Sequence, residues 1–324
     1  MVTEKLEKYI DIFNVMNDEI KWCDKKILMM ASSVYVIKER AFNINEFVEL
    51  SEHIKTNAGM FSPLNSNLRF SVASMLDTRF EQPKEVVQIL NAYYDKLVEG
   101  GFKRGNFTYI AALAMMTDNV ETSHIENKID RALYIYKSMR QEHPFITTNE
   151  DYPLAVLLSE REGAVKDVIA RIEYFYKELH TSKFRKGNDL QFLSHILSLS
   201  KEEEPEVYIK RSIEVLESLK RASIKPKPIH YPEVGLLSLI EHTDIELENT
   251  KQLKLKLDNQ RHFKWQRELN FKVAVNLAVS ESLKGSSLVE TGMLTTMEAI
   301  MQAQQTAMIT GITAATAVSA SNNG

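Results

Sequence analysis

The chain has 324 residues, of which 44% are hydrophobic and 26% charged, and these proportions are typical of a soluble globular protein. Its net charge of −4 argues against a nucleic-acid binder, because neutralising phosphates requires clustered Lys and Arg. The single Cys23 excludes an intramolecular disulfide and a Cys-based zinc site. Since residues 1–8 lack the apolar core of a secretory signal, a reducing, cytoplasmic compartment is predicted.

A pair of helices recurs about five times along the chain. Its clearest trace is one turn that occurs twice, at residues 102–106 (Phe-Lys-Arg-Gly-Asn) and 184–188 (Phe-Arg-Lys-Gly-Asn). An apolar anchor follows the second helix of each pair, and these anchors are Phe61, Phe102, Phe145, Phe184 and Ile224. The next helix opens with a polar residue suited to cap its free backbone N–H groups, namely Asn67, Asn106, Asp151, Asp189 or His230.

Each first helix of a pair also has a small residue near its middle. These residues are Ala31, Ala73, Ala112, Ala155, Ser194 and Gly235, at intervals of 39 to 43 residues. Small side chains let neighbouring helices approach closely, and stacked helix pairs bury a continuous core between them. We therefore predict an all-α fold: an α-solenoid, coiled as a right-handed superhelix, of about five to six helical hairpins with a C-terminal helical extension.

In chain order, a first helix is predicted over residues 3–21. The pairs that follow are predicted at 27–36 with 43–54, 68–80 with 83–99, 107–116 with 126–139, 152–161 with 165–179, and 190–199 with 206–219, before an unpaired helix at 231–240. From residue 244 a single long charged helix is predicted to about residue 283. The predicted organisation is a helical-repeat domain over 1–243, a charged helix packing on it over 244–290, and a tail over 291–324.

The tail has an unusual composition, because the last 26 residues, from Ala299 onward, contain no Asp, Glu, Lys or Arg. It is nevertheless rich in Ala, Thr, Gln and Ser, so it is too polar for a stable membrane span. Two interpretations remain. Residues 294–318 form either a helix that caps the repeats and frays into a disordered end, or a detachable helix that docks on a partner or on a second copy of the chain.

Several stretches together resemble a known bacterial family. They are residues 76–80 (Leu-Asp-Thr-Arg-Phe), 101–109, 151–155 (Asp-Tyr-Pro-Leu-Ala), 184–195 and 230–233 (His-Tyr-Pro-Glu). They resemble an uncharacterised family of Bacillus and related Firmicutes, domain of unknown function four thousand and three, over most of the chain. The resemblance implies a cytoplasmic bacterial protein. It implies no activity, substrate or cofactor, so no catalytic residue is transferred from it.

The common catalytic motifs are absent from the sequence. It contains no Gly-rich phosphate loop, no His-Glu-x-x-His zinc helix and no Gly-x-Ser-x-Gly nucleophile turn. Cys23 lies beside Trp22 and apolar segments, which favours a buried structural thiol over a nucleophile. We predict no cofactor, no metal site and no catalytic residue, and the sequence leans against an enzyme.

The most informative polar residues cluster at the starts of the first helices, which a solenoid would bring to one edge. They are Arg104, Asn106, Asp151, Tyr152, Arg185, Asn188, Asp189, His230, Tyr231 and Glu233. One interpretation is a polar groove that binds a carboxylate or phosphate. The other is a row of helix caps and solvated turn charges. His230 and Glu233 could form one edge of a metal site, but no third ligand is identifiable, and His195 has the surroundings of a core histidine.

Two classes of function follow. The leading hypothesis is a protein- or peptide-binding scaffold or adaptor, because solenoids present extended surfaces to partners. The alternative is an enzyme or small-anion ligand sensor whose site is the polar groove. Self-association through the C-terminal helix is a third possibility, and no nucleic-acid partner is predicted.

Overall fold

A computed structural model describes residues 2–116, 125–200, 204–222, 224–240, 243–284, 300–301 and 303. Every regular element among them is a helix and none is a strand, which confirms the predicted all-α class. Fourteen α-helices are described, α1 to α14 in chain order: Val2–Glu19, Lys25–Ile37, Ile44–Thr56, Leu68–Arg79, Val87–Glu99, Asn106–Met115, Ile125–Glu142, Tyr152–Ser159, Val165–Ser182, Asn188–Leu199, Pro205–Arg221, Tyr231–Ser238, Thr243–Asp258 and Arg267–Lys284. Short 3-10 turns at Pro63–Asn65, Asn149–Asp151 and Pro228–His230 precede α4, α8 and α12.

The chain comprises two compact units, each assembled from separate segments. The N-terminal unit includes Lys8–Asp130 and Asn149–Val156, and it holds α2 to α6. The C-terminal unit includes Met1–Glu7, Arg131–Thr148 and Leu157–Met297, and it holds α9 to α14. Within the first, α4 packs against α2 and α3, and α5 packs against α6. Within the second, α10 packs against α9 and α12, and α12 also contacts α11, α13 and α14.

Two kinds of helix alternate along the chain. The first helix of each predicted pair is buried on all sides, as in α6, where every residue from Phe107 to Met115 is buried. The second helix is amphipathic, and α9 buries only five residues along one face, at positions 168, 172, 175, 176 and 179. A helix covered on all sides must be apolar all round, whereas an outer helix needs one apolar stripe. This difference explains the two composition patterns in the sequence.

The small residues of the first helices are all buried. Gly235 in α12 illustrates their use, because a Cβ built there would lie 2.8 Å from Leu193 Cδ1 and 3.1 Å from Ile196 Cγ2 of α10. Contacts this short mean that only glycine or a slightly displaced alanine fits between the two helices. The close approach of α10 and α12 therefore depends on a residue no larger than alanine at position 235.

Half-buried arginines bind the carboxyl ends of the first helices. In the N-terminal unit, Arg79 donates to the carbonyl oxygen of Leu113 at 2.9 Å and also to that of Met116. In the C-terminal unit, Arg161 donates to the carbonyl oxygen of Ser200 at 2.9 Å and also to that of Ser198. Helix carboxyl ends carry free carbonyl groups and partial negative charge, so a guanidinium satisfies both.

The region predicted as one helix from 244 to 283 is instead the helix pair α13 and α14. Residues 259–266 form the turn between them, and Phe263 is buried beneath it. Asn270 Nδ2 donates to Asp258 Oδ1 at 2.8 Å and to the Phe263 carbonyl oxygen at 2.9 Å, which closes the turn. The sequence prediction was wrong here because no Gly or Pro marks the break, which is made by side-chain contacts.

The tail predicted over 291–324 and its helix over 294–318 lie outside the described residues, apart from Ile300, Met301 and Ala303, which are buried. The predicted domain boundaries at 243/244 and 290/291 stay predictions. Cys23 is buried, as predicted, and burial is the main reason that the pKa of its thiol rises to about 12. A thiol with so high a pKa is protonated at neutral pH and is a poor nucleophile.

Candidate functional site

The ten predicted groove residues fall into two sets, one in each unit. Arg104, Asn106, Asp151 and Tyr152 belong to the N-terminal unit. Arg185, Asn188, Asp189, His230, Tyr231 and Glu233 belong to the C-terminal unit.

The first copy of the repeated turn is fixed by two tyrosine hydroxyls. Gly105 N donates to the hydroxyl of Tyr94 in α5 at 3.3 Å, and Lys103 N donates to that of Tyr152 in α8 at 3.3 Å. The ring of Tyr152 meets that of Phe102 edge to face, with centroids 4.8 Å apart. The Tyr152 hydroxyl therefore holds a backbone N–H and is part of the scaffold.

The second copy repeats this geometry in the C-terminal unit. Gly187 N donates to the Tyr176 hydroxyl at 3.3 Å, and Arg185 N donates to the Tyr231 hydroxyl at 3.0 Å. Phe184 and Tyr231 meet edge to face at 4.9 Å. Gly187 has φ 142° and ψ −175°, a conformation open only to glycine without strain, which explains why the turn carries Gly in this place.

The predicted helix caps differ from the observed ones. Asn67 and His230 occupy the cap positions of α4 and α12, but neither side chain bonds the first turn. Glycine precedes α6 and α10, which begin at Asn106 and Asn188, so Asp189 lies inside the first turn. A carboxylate in the first turn interacts favourably with the positive end of the helix dipole, although it does not cap the helix.

A cavity of about 590 Å³ opens in the N-terminal unit between the 57–63 loop, α5 and the repeated turn. Its lining residues are Asn57, Gly59, Met60, Phe61, Ser62, Pro63, Asn91, Tyr94, Asp95, Arg104, Gly105 and Tyr109. The rings of Tyr94 and Tyr109 stack with centroids 3.9 Å apart and an interplanar angle of 14°. Ligand pockets typically have volumes of about 300–1,000 Å³, so this cavity, which we call the tyrosine cavity, has the right size.

Polar groups inside the tyrosine cavity form a short hydrogen-bonded chain. The Tyr109 hydroxyl lies 3.0 Å from Ser62 Oγ and donates to Asn91 Oδ1 at 3.4 Å. Burial is the main reason that the pKa of Tyr109 is raised, so its phenol stays neutral. At the rim, Arg104 Nη1 lies 4.0 Å from Asp95 Oδ1, and both side chains are largely exposed. The cavity therefore offers neutral hydrogen-bonding groups inside and one charge of each sign at its edge.

Two large apolar side chains project from the loop at this rim. Phe61 is 94% exposed and Met60 is 85% exposed. The loop is held in place, because Asn65 Nδ2 donates to the carbonyl oxygens of Gly59 and Met60 at 2.9 and 3.0 Å. The predicted anchoring role of Phe61 was wrong, as it was for Phe145, which is 96% exposed, whereas Phe102 and Phe184 are buried.

The corresponding place in the C-terminal unit has different chemistry. The ring of His143, rather than a second tyrosine, packs on Tyr176 with centroids 4.4 Å apart. His143 Nε2 lies 3.0 Å from the Glu173 carboxylate. Gln191 Nε2 donates to Thr147 Oγ1 at 2.7 Å, in the place that the Ser62 to Tyr109 contact has in the first unit. The two units therefore share a scaffold and differ in the side chains that face this position.

The remaining predicted residues of the C-terminal unit surround a buried ion pair. Lys272 Nζ of α14 lies 3.2 Å from Glu233 Oε1, and Glu233 is fully buried. Burial raises the pKa of the nearby Asp189, which Lys272 partly offsets, and burial lowers the pKa of His230. Lys227 N donates to His230 Nδ1 at 3.2 Å, so the ring is fixed by the chain. The predicted Asp189, His230 and Glu233 are thus electrostatic neighbours, whereas Arg185 is exposed in the adjoining turn.

Within the part of the chain that the structure describes, no group of three or more His, Cys, Asp or Glu side chains is arranged to hold a metal ion. None of the described helices is both long enough and apolar enough to cross a membrane.

Comparison with known proteins places the chain in a family. The family profile described as "Protein of unknown function (DUF4003)" matches residues 12–306. The chain belongs to this family. A relative in Bacillus subtilis (strain 168), "Uncharacterized protein YeaA", is 37% identical over 324 residues, covering 99% of this chain and 98% of the relative. No solved structure matches the chain.

The family assignment confirms the resemblance found in the sequence. The matched residues include the tyrosine cavity, both copies of the repeated turn and the buried ion pair, so these features lie within the DUF4003 region. Sequence reasoning found Arg104 of the cavity and missed Phe61, Tyr94, Asp95 and Tyr109. The available signal was the repeated turn itself, since Tyr94 and Tyr176 both lie 11 residues before its glycine.

Proposed function

We propose that this DUF4003 protein is a binding protein whose tyrosine cavity takes a peptide segment of a protein partner. The observation that carries the proposal is the pair Phe61 and Met60, which an ordered loop holds almost fully exposed beside a cavity of about 590 Å³. Large apolar side chains gain free energy when a partner removes them from water, and aromatic residues dominate binding energy at interfaces. Their exposure is costly unless something covers them.

The chemistry of the cavity favours a peptide with an aromatic side chain. Phe61 at the rim and the stacked Tyr94 and Tyr109 provide flat surfaces against which another ring packs. The Ser62 and Asn91 groups supply hydrogen bonds for a peptide backbone. Because the rim carries one guanidinium and one carboxylate, it suits a ligand with both charges, as a peptide has.

The same features disfavour the alternative of an enzyme or small-anion sensor. Among the described residues, the ionisable groups that line the cavity are Asp95, Arg104 and the two tyrosines, and the raised pKa of Tyr109 opposes a phenolate base. In the C-terminal unit, Asp189, Glu233 and Glu268 outnumber the cations Lys272 and Lys227 in their neighbourhood. That balance repels a small anion.

The proposed setting of this activity is a cytoplasmic scaffold or adaptor built as an α-solenoid of about five to six hairpins. Supporting it are the alternation of buried and amphipathic helices and the repetition of one turn geometry in both units. Small-angle scattering of the full chain tests the architecture, since a solenoid gives a longer maximum dimension than a globule of equal mass.

Self-association through the tail is the other proposed contact. Removing residues 290–324 and measuring the mass of the protein in solution tests it.

The peptide proposal is tested by selecting binders from a random peptide library on the immobilised full chain and measuring their affinity by fluorescence polarisation. We expect selected peptides to carry an aromatic residue, and Phe61→Ala to weaken their binding about 30-fold, the effect of losing about 2 kcal/mol at a binding hot spot. Phe145→Ala is the matched control, because Phe145 is equally exposed and lies in the other unit. Equal binding by the wild type and Phe61→Ala, or no selected peptide at all, contradicts the proposal.

A further inference from the structure

The turn between α13 and α14 displays a tryptophan to solvent. Trp265 is 83% exposed, and Lys264 Nζ lies 5.3 Å from the centroid of its ring. Tryptophan is among the residues that proteins usually bury for most of their surface, so a nearly free indole on an ordered turn points to a partner.

The turn holds this tryptophan outward by a fixed geometry. Phe263, two residues earlier, is buried, and its carbonyl oxygen accepts from the fully buried Asn270. Gln266 N donates to that same carbonyl oxygen at 2.8 Å, and Lys264 N donates to the Gln260 carbonyl oxygen at 3.0 Å. Because the backbone is bonded on both sides of Trp265, its exposure follows from the fold.

Positive charge is concentrated around the exposed indole. Residues 251–267 contain six Lys or Arg and one Asp, in a chain of net charge −4. Arg261, Lys264 and Arg267 are exposed, and none of them forms an ion pair with the described residues. The neighbouring acids are already neutralised, because Asp258 pairs with Lys254 and Glu268 pairs with Lys227, each at 2.5 Å.

We propose that this basic tryptophan turn, residues 259–267, docks the protein on the surface of a bilayer that contains anionic phospholipid. Tryptophan prefers the interface between headgroups and hydrocarbon, where its ring is apolar and its N–H finds a partner. Each Lys or Arg near an anionic leaflet adds electrostatic attraction, and two signals of this kind are what reversible anchoring needs. Arg261, Lys264 and Arg267 supply the attraction, while Trp265 supplies the insertion.

A bilayer fits these observations better than a nucleic acid does. Single strands are bound on several aromatic side chains that stack successive bases along a basic groove. Among the described residues of this turn, Trp265 is the one exposed Trp, Tyr or Phe ring, in the connection between two helices. A single exposed indole on such a turn suits insertion into the headgroup region of a bilayer. RNA binding is therefore kept as an outcome of the test that overturns the proposal.

The test uses flotation of the full chain with vesicles of phosphatidylcholine alone or with about 30% phosphatidylglycerol, matching an anionic cytoplasmic leaflet. In a Trp22→Phe background Trp265 is the only tryptophan, so its emission reports the turn. We expect binding only to the anionic vesicles, with a blue shift of Trp265 emission and weakening by added salt.

Two variants locate the binding to the turn. Changing Arg261, Lys264 and Arg267 together to Gln is expected to weaken vesicle binding about 150-fold, from about 1 kcal/mol for each basic residue at an anionic surface. Trp265→Ala is expected to abolish flotation while the chain stays folded by circular dichroism. The matched control changes Lys210, Lys220 and Lys225, exposed elsewhere in the same unit, and removes the same charge.

Three results overturn the proposal. The first is no flotation with anionic vesicles. The second is equal loss of binding in the lysine control, which would mean that only net charge matters. The third is binding of a poly(U) RNA oligomer that depends on Trp265, with no vesicle binding under the same salt. None of these results bears on the tyrosine cavity, which lies in the other unit.

Discussion

Replacing Lys272 by Met tests whether the buried ion pair holds the C-terminal unit together. Lys272 Nζ lies 3.2 Å from Glu233 Oε1 and 3.3 Å from the carbonyl oxygen of Ile229. Its side chain is 12% exposed and that of Glu233 is 0% exposed. Removing the ammonium therefore leaves the buried Glu233 carboxylate without the cation that offsets its desolvation. A buried charge that loses its counter-ion is strongly destabilising.

The size of the effect follows from this burial. Removing one partner of a buried ion pair costs about 3–5 kcal/mol of unfolding free energy. Because Lys272 keeps slight contact with water, we expect the lower end, about 3 kcal/mol. Adding Glu233→Gln to Lys272→Met should recover about half or more of the loss, since a neutral amide needs no cation.

Urea unfolding followed by circular dichroism measures the effect, with Lys227→Met as the matched control. Lys227 belongs to the same group of charges, but its partner Glu268 is 49% exposed and it is itself 61% exposed. An exposed pair of this kind contributes only about 0–1 kcal/mol. A loss in Lys272→Met no greater than in Lys227→Met, or a double variant as unstable as the single one, refutes the reasoning.

Three further predictions use the same unfolding measurement. Gly235→Val overpacks the α10–α12 contact and should lower the free energy of unfolding by about 1–3 kcal/mol. Gly235→Ala should be nearly neutral, because a helix-propensity gain of about 1 kcal/mol offsets the strain. Equal effects of the two variants would contradict the steric argument. Burial lowers the pKa of His195 from 6.5 to about 3. Between these two pH values His195 is protonated in the unfolded chain and neutral in the folded one, so the free energy of unfolding should fall as pH falls from about 6.5 toward 3. His195→Gln should make this pH dependence less steep. The same pH dependence in the wild type and the variant would assign the effect to other groups. Arg161→Met removes the guanidinium that donates to the Ser198 carbonyl group and one of the two guanidinium donors to the Ser200 carbonyl group, since Arg171 also donates there. The change should cost about 1.5–3 kcal/mol, while Arg185→Met, at an exposed arginine, serves as its control.

The helices and their small residues were predictable because they depend on local pattern. A helix that is apolar all round must be inner, and one with a single stripe must be outer, so the order of helices could be read without coordinates. Gly235 follows the same logic, since its place in the period identified it as a close contact. The repeated turn was found as a sequence motif, and the structure explains the motif by two tyrosine hydroxyls and one glycine conformation.

The candidate site was much less predictable. Whether a loop phenylalanine is buried depends on the distant segments around it, so Phe61 and Phe145 look the same in sequence as the buried Phe102 and Phe184. Tyr152 was taken for a groove residue because it is polar, although its hydroxyl is used to hold a backbone N–H. Periodicity predicts which face of a helix is buried. It does not predict which polar atoms form hydrogen bonds with residues distant in the sequence.

Comparing the two units separates what the fold needs from what it leaves open. Both keep the glycine turn on a tyrosine hydroxyl, so that feature belongs to the scaffold that the two units share. The partner stacked on the tyrosine is not kept: it is Tyr109 in one unit and His143 in the other, the latter fixed by Glu173. Four residues after the turn glycine, one unit has Tyr109 and the other has Gln191. A position that tolerates such different side chains on one scaffold is not dictated by packing. The side chains at that position are therefore the part of each unit that is free to serve binding, which is why the proposal is placed at the tyrosine cavity and not at the polar helix starts.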